Sequence, residues 1–543
     1  MPLSNHETAV FAAGLDYAAR GALYFGDKTA VVDVERGEAG RFSYRDLEHR
    51  AFRFASFLKR HGVQKGDRVG LLAPNGIEYI DALFACAKLG AIFVPYNYRM
   101  HPQEFCEVVR NTSPKVLVYG SEYAHHVAAV QTESLLSVLF LETGETAMQK
   151  KGADSVASFE SIVRTGETEI QQESRIISPT VSEDILCLLG TGGTTGLPKS
   201  AMISHRMCAH NALTTMIHEL QPGDVTVVHT PMFHTGGLLV YAFPLLLSGG
   251  KVVILRKWDV ELFLSLIPSE RVTMFFCVPT QYQMLLDSKS LAKTSFASVR
   301  FVTSGGAPLP VPLITAFSQI HPIPFKQGFG MTEFGPGCFS MGAEYAQTKA
   351  GSIGRPNAFV GARIVDEEGQ DVNTGETGEL LLKGPALFSG YFQDQEATRN
   401  AIDEQGWFHT GDIARRDEEG FFYIVDRKKD MFISGGENVY PVEVERILYE
   451  HNAVKQCAVI GVPDEKWGQV GRAYIVLHKR EETQNRSEGE QTAEPSEADI
   501  LSFLRERLAR YKVPKGVYFL HELPLSPAGK ILKRELLRRA LAE

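Results

Sequence analysis

Between two apolar runs, Ile185 to Leu189 and Ala201 to Ile203, the chain carries Gly190-Thr191-Gly192-Gly193-Thr194-Thr195-Gly196-Leu197-Pro198-Lys199-Ser200. Both runs read as buried strands. The joining segment holds four glycines, three threonines and one lysine, with no carboxylate. Glycine lets a backbone turn its N–H groups toward an anion with no side chain in the way. Threonine hydroxyls and the Lys199 ammonium add donors of the kind a polyphosphate needs. The Walker pattern is excluded, because it needs lysine directly after glycine and then Ser or Thr. Here Leu197-Pro198 separates Gly196 from Lys199, and a strand follows instead of a helix.

A chain of 543 residues exceeds what one core supports, so about two to four domains are expected. The alternation is α/β in character. Ser43 with Asp46 reads as a capped helix start. Val69 to Ala73, Ala91 to Val94 and Val116 to Tyr119 read as strands around helices Ile77 to Leu89 and Glu104 to Arg110. That order predicts a parallel, buried sheet flanked by helices. A second series of strands follows the glycine-rich loop: Val225 to His229, Lys251 to Leu255, Met274 to Val278 and Val299 to Thr303. From Gly351 to Val425 short alternating runs predict a β-rich subdomain. Lys428-Lys429-Asp430 reads as a linker to a small α+β unit. Its expected elements are helix Glu443 to Tyr449, strands Cys457 to Val462 and Ala473 to Leu477, and a helix bearing Leu501, Leu504, Leu508 and Tyr511. The division is therefore 1–427 and 428–543. Within the second part, Glu481 to Asp499 has seven acids against one base and is expected as a solvated loop.

The net charge of −9 makes no electrostatic case for nucleic acid. Seven scattered cysteines without a CxxC favour reduced thiols in a cytoplasmic protein over disulfides or a zinc site. The start, Met1 to Phe11, lacks a signal-peptide pattern. The longest uncharged run, Thr235 to Gly250, has 16 residues, whereas a membrane span wants about 18 or more, so a buried segment is expected and no transmembrane segment. Nothing in the pattern specifies an oligomeric state.

The glycine-rich loop resembles the phosphate loop of the adenylate-forming superfamily, which includes acyl-CoA synthetases, beetle luciferases and the adenylation domains of peptide synthetases. Gln327-Gly328-Phe329-Gly330-Met331-Thr332-Glu333 is similar to that family's Y-G-x-T-E motif, with Phe329 where tyrosine is common. An aromatic face beside glycine suits adenine, and Glu333 suits Mg²⁺, a hard cation that takes oxygen ligands. Ser304-Gly305-Gly306-Ala307-Pro308 resembles the segment bordering adenine and the acyl pocket. Asp412, in Thr410-Gly411-Asp412, and Arg427 resemble the pair that holds the ribose hydroxyls. Pro231-Met232-Phe233-His234-Thr235-Gly236-Gly237 resembles a stretch of acyl- and aryl-CoA ligases in which the histidine stands between acyl site and thiol entry. Gly529-Lys530 resembles the setting of the catalytic lysine, Lys429 the hinge, and Gly435-Gly436 the second face of the mobile domain. Trp467 is similar to a position that stacks on CoA in some aryl-CoA ligases, and Val513 falls where those enzymes carry arginine.

The resemblance implies a carboxylic acid:CoA ligase that uses ATP, Mg²⁺ and coenzyme A and forms AMP. Lys530, His234, Glu333 and Lys199 would carry the chemistry. Nucleotide would meet Thr191, Gly192, Gly193, Thr194, Thr195, Gly196, Lys199, Gly306, Ala307, Phe329, Gly330, Met331, Thr332, Asp412, Arg427 and Lys530. Acid and CoA would meet His234, Gly305, Gly328, Gly435, Gly436 and Trp467. No Lys or Arg lies in Pro231–Gly237, Val278–Thr280 or Gly328–Ser340, which speaks against a second substrate carboxylate. The pattern favours a medium- or long-chain fatty acid, with an aryl or aryl-propenoic acid as the alternative. A free-standing carrier protein in place of CoA, and a nucleotide-binding protein without catalysis, are the other readings.

Overall fold

The structure is a computed structural model and describes residues 15–131, 138–143, 158–165, 180–191, 198–307, 309–427, 430–434, 437–478, 494–526 and 529–542. The expected phosphate-loop residues Gly192, Gly193, Thr194, Thr195 and Gly196, the hinge Lys429, and Gly435 and Gly436 lie outside the described residues.

The parallel sheet expected in the first third is present. Strands Leu139–Glu142, Val116–Tyr119, Arg68–Leu72, Ile92–Pro95 and Ile185–Gly190 run parallel in that spatial order, and Ser200–Ser204 closes the edge antiparallel. Apolar side chains on both faces of Val116–Tyr119 and Ile92–Pro95 explain their continuous burial. Helix Tyr44–Arg60 begins with the expected capping box of Ser43 and Asp46. It sets Arg50 in the interior, paired to Asp81 at 2.7 Å and Glu160 at 3.1 Å, because a buried guanidinium persists only with its charge answered.

A second sheet takes Met274–Cys277, Phe301–Ser304 and Phe325–Met331 in parallel, then Gly335–Met341 and Arg355–Pro356 antiparallel. A four-stranded sheet of Arg41–Ser43, Thr29–Asp33, Lys251–Ile254 and Val225–Val228 abuts it through Thr273 N–H to Val225 O at 2.9 Å. The β-rich region is an antiparallel sheet of Gly361–Val365, Thr377–Lys383, Phe408–Arg416 and Phe422–Arg427. Among the described residues the seven cysteines are buried, and no helix is long and apolar enough to cross a membrane.

The C-terminal unit has its own core. Strands Glu437–Val439, Phe432–Ser434, Gly468–Leu477 and Val454–Asp464 pair in that order, with Gly516–Phe519 added alongside, and helices Pro441–Leu448 and Glu497–Arg505 cover one face. Two expectations change here. The second helix stops at Arg505, leaving Leu508 and Tyr511 beyond it. The acidic stretch does not stay a loop to Asp499: Ser496 and Asp499 form a capping box, so its last acids begin a helix. Thr235–Gly250 is buried as expected but helical, with a π-helical turn over Leu238–Ala242.

Candidate active site

Strands Phe325–Met331 and Gly335–Met341 form a hairpin whose tip carries Thr332 and Glu333. The hairpin is tight because Gly330 lacks a side chain: a Cβ there would stand 2.3 Å from the Pro336 backbone. Glu333 is held twice from one loop. Its carbonyl accepts from Phe388 N–H at 2.8 Å, and its carboxylate accepts from Tyr391 O–H at 2.8 Å. The same loop pairs with the strand after the glycine-rich segment, through Met202 N–H to Gly390 O and Phe392 N–H to Ser200 O. Lys199 therefore comes to the Tyr391 ring, its Nζ 5.0 Å from the centroid. Burial and the Glu333 carboxylate hold the Tyr391 phenol well above its ordinary pKa, so it remains a donor. The sequence reading passed over Tyr391; the glycine–aromatic pair Gly390-Tyr391, like Gly328-Phe329, was the available signal.

Thr191 N–H donates to Lys199 O at 2.8 Å, closing the neck of the loop. Phe329 packs edge-on to Phe339 with centroids 5.8 Å apart and keeps one side partly exposed. Thr332 is buried, and Met331 pairs with Gly335. Asp412 and Arg427 face each other on antiparallel strands, with Arg427 Nε 2.8 Å from Asp412 Oδ1. Asp412 is buried while Arg427 is exposed, so the carboxylate is fixed and the guanidinium is at the rim.

Gly305 is buried because the strand ends converge: a Cβ on it would lie 2.7 Å from Gly328 O. Gly306, with φ +82°, and Ala307 are exposed. Over Gly306 lies Lys530, whose Cε is 3.6 Å from where a Gly306 Cβ would stand. The turn carrying it is closed by Ser526 N–H to Lys530 O and Lys530 N–H to Ser526 Oγ, at 2.6 and 3.0 Å. Gly529, at φ +78°, brings its carbonyl to Thr280 Oγ1 at 3.4 Å. The lysine turn thus docks on the body. His234 shares its surroundings: burial, then the Lys530 charge, lower its pKa to about 4. His234 Nδ1 accepts from Gly236 N–H at 3.1 Å, so the neutral ring carries its proton on Nε2. His234, Val240, Gly328, Gly337 and Ser340 are each partly exposed.

Trp467 stands apart from this group on the turn after Val454–Asp464, 44% exposed and with the Lys466 ammonium 5.0 Å from its ring; it is not a core residue.

Family models match the two parts of this arrangement: "AMP-binding enzyme" over residues 19–392 and "AMP-binding enzyme C-terminal domain" over residues 443–530. The chain belongs to the AMP-binding enzyme family. Within that family it is an acyl-CoA synthetase of the adenylate-forming superfamily, an AMP-forming acid:CoA ligase, as the sequence motifs led one to expect. A feruloyl-CoA synthase of Amycolatopsis sp is 37% identical over 92% of this chain and 94% of its own length. A long-chain-fatty-acid–CoA ligase of Mycobacterium tuberculosis is 34% identical over 93% and 94%. Among solved structures, ATP-bound MatB from Rhodopseudomonas palustris superposes with a TM-score of 0.84 at 30% identity, covering 97% of this chain and 98% of its own. Like these, the AMP-binding enzyme described here pairs a large N-terminal domain with a small C-terminal one.

Proposed function

We propose that this ligase activates a compact aryl acid of the aryl-propenoic kind. The acid's carboxylate attacks the α-phosphorus of ATP, and pyrophosphate leaves. A carboxylate is a poor electrophile, and the mixed anhydride with AMP supplies the leaving group that the CoA thiol then displaces. Lys530, seated over Gly306 beside His234, is the group that orients the carboxylate and answers charge growing on the α-phosphate. Lys199 and the glycine-rich loop would hold the outer phosphates, Asp412 and Arg427 the ribose, and Phe329 the adenine. Glu333 fits Mg²⁺: that ion keeps most of its waters and phosphate ligands, so one carboxylate with an oxygen steadied by Tyr391 is an adequate protein share. Bound with ATP, Mg²⁺ would offset phosphate charge. His234, neutral at ordinary pH, lets an uncharged acyl group pass without an ionic competitor for the carboxylate. For the second step the C-terminal domain would turn about Lys429, withdrawing Lys530 and bringing Gly435-Gly436 to the cleft, which keeps water from the adenylate meanwhile.

The acid class rests on a chain of polar groups near the Lys530 position. His218 Nδ1 meets Tyr241 Oη at 2.9 Å, Tyr241 meets Thr303 Oγ1 at 2.6 Å, and His218 Nε2 meets Ser340 Oγ at 3.0 Å. Thr303 precedes Gly306 by three residues, the last two of them beyond strand Phe301–Ser304. Imidazole and hydroxyls there favour a short aryl acid over a long alkyl chain. The likeness to a feruloyl-CoA synthase supports the same reading. A fatty acid is the second reading, supported by the uncharged residues of Gly328–Ser340 and by the fatty-acid relative. Acid-dependent pyrophosphate release over cinnamates and C6 to C16 alkanoates tests the choice. The aryl-propenoic acids are expected to lead, and an alkanoate of ten or more carbons exceeding all of them would overturn the reading.

A further inference from the structure

The last strand of the body, Phe422–Arg427, and the first of the C-terminal unit, Phe432–Ser434, follow each other closely in the chain. Asp426 stands on the body side of that junction and is 1% exposed. Its Oδ1 accepts from Arg427 N–H at 2.7 Å, and its Oδ2 accepts from Val442 N–H at 3.0 Å. Val442 belongs to the C-terminal unit, in the first turn of helix Pro441–Leu448. A helix leaves its first N–H groups without partners of its own, and a side chain just ahead of it usually supplies one. Here Tyr440, the residue ahead, makes no such bond, and Pro441 has no N–H. The cap comes instead from Asp426, 16 residues back and on the other unit.

Burial raises the Asp426 carboxyl pKa to about 6; the Lys533 charge and the N–H groups of Val442 and Arg427 pull the other way, and Glu445 adds to the rise. At neutral pH the group is a carboxylate that only accepts, and its charge suits the positive end of the helix. Lys533 ties this contact to the Lys530 turn, because it opens helix Lys533–Ala542 three residues after Lys530. Its Nζ meets Glu445 Oε1 of the capped helix at 2.8 Å, and the same oxygen accepts from Val459 N–H at 2.7 Å. Leu536 and Ala540 pack helix Lys533–Ala542 on strand Val454–Asp464. The capped helix, that strand and the helix behind Lys530 therefore form one piece. If the unit turns, Val442, Glu445 and Lys533 leave together, and Asp426 stays with the body.

We infer that Asp426 is a positioning residue for Lys530: by capping helix Pro441–Leu448 from across the junction, it holds the C-terminal unit in the orientation of the first step. The inference rests on the reading of Lys530 above and adds what keeps that lysine in place. It makes no claim on the acid.

The test measures the two half-reactions separately in the full chain. Asp426→Ala leaves Val442 N–H buried without its acceptor, and Asp426→Asn restores a neutral one. In Asp426→Ala, kcat for acid-dependent pyrophosphate release should fall by about tenfold, with KM for ATP changed by less than about twofold. Preformed acyl-AMP should react with CoA at the parent rate or faster. Asp426→Asn should recover most of the lost first step. Thermal unfolding shows whether each variant is folded. Should Asp426→Ala fail to fold, Asp426→Ser, whose hydroxyl is one bond too short for the contact, is read in its place. A residue that only supports the fold would slow both steps together. One that acts through its neighbour Arg427 would raise KM for ATP and leave kcat alone. Either result, or an unchanged first step, overturns the inference. Lys530→Ala assayed alongside separates the two claims. If it stops the first step while Asp426→Ala does not, the inference alone falls; if it leaves pyrophosphate release intact, the reading of Lys530 falls and the inference with it.

Discussion

The two halves of the active site are held in opposite ways. On the body, Glu333, Asp412 and Lys199 are placed by strand pairing and by a half-buried aromatic: Tyr391 binds the first, Asp412 lies in a β ladder, and Lys199 stands over the Tyr391 ring. On the C-terminal unit, Lys530 reaches the same place on an exposed turn. Its attachments are the 3.4 Å contact of Thr280 with Gly529, a Lys455–Asp287 ion pair at 2.7 Å, and Val442 N–H donating to Asp426 at 3.0 Å. A cleft lined by Pro310, Pro312 and Leu313 on one side and Tyr449 and Val454 on the other separates the two units nearby. The Lys455–Asp287 pair is partly solvated and contributes about 1 kcal/mol or less, whereas Asp426 is buried. The groups proposed to hold ATP are thus part of a scaffold, and the lysine proposed to promote attack sits on the C-terminal unit, which is proposed to turn away.

The sharpest way to break this contrast is Lys530→Ala. Pyrophosphate release with acid and ATP should fall by about a thousandfold, the scale of losing a group aimed at transition-state charge. Preformed acyl-AMP should still react with CoA at nearly the parent rate. Equal loss in both assays would mean that Lys530 is no gate. Next in size is Tyr391→Phe, which leaves a carboxylate short of one bond. Adenylate formation should drop by about tenfold or more, with a higher Mg²⁺ requirement and an unchanged second step. An unchanged Mg²⁺ titration would separate Tyr391 from Glu333.

A pH profile probes the seam between the halves. His234 is lowered from 6.5 to about 4, chiefly by burial and then by Lys530. The folded protein therefore binds this proton less readily than the unfolded chain does. The resulting stability is present above 6.5 and is lost as pH falls through about 4. Adenylate formation should accordingly show no inflection near 6.5 and decline only toward 4; a clear step at 6.5 removed by His234→Ala would contradict a neutral, buried imidazole. The smallest effect belongs to the Lys455–Asp287 pair. Asp287→Ala should shift the ratio of first- to second-step rates by about twofold to fivefold in favour of thioester formation, with little change in melting temperature.

Much of this was readable from residues alone where the signal was local. The capping box at Ser43 and Asp46 and the strand at Val116–Tyr119 depend on neighbours within a few positions. The errors were local rules overruled. Leu508 and Tyr511 continue a helical spacing, yet the helix ends at Arg505. The acids before Asp499 look like a solvated run until Ser496 is seen to cap them. Of the proposed site, the candidate residues were named from their motifs, most of them in a glycine-rich setting. Tyr391 and Asn211 could not, since a tyrosine or asparagine means little until its partner is known.

The amino-acid order by itself determined the strands, the caps and the glycines whose missing side chains permit close approach, along with the chemical kinds of group available for ATP. Only the tertiary structure decided that Tyr391, 58 residues from Glu333, would steady it, that the Gly529 turn would settle on Thr280 across 249 residues, and that Asn211 would be buried with its side-chain N–H on Leu239 O. The physical reason is range. Backbone preferences act over a few residues, whereas hydrogen bonds between distant segments exist only after packing has brought their partners within about 3 Å.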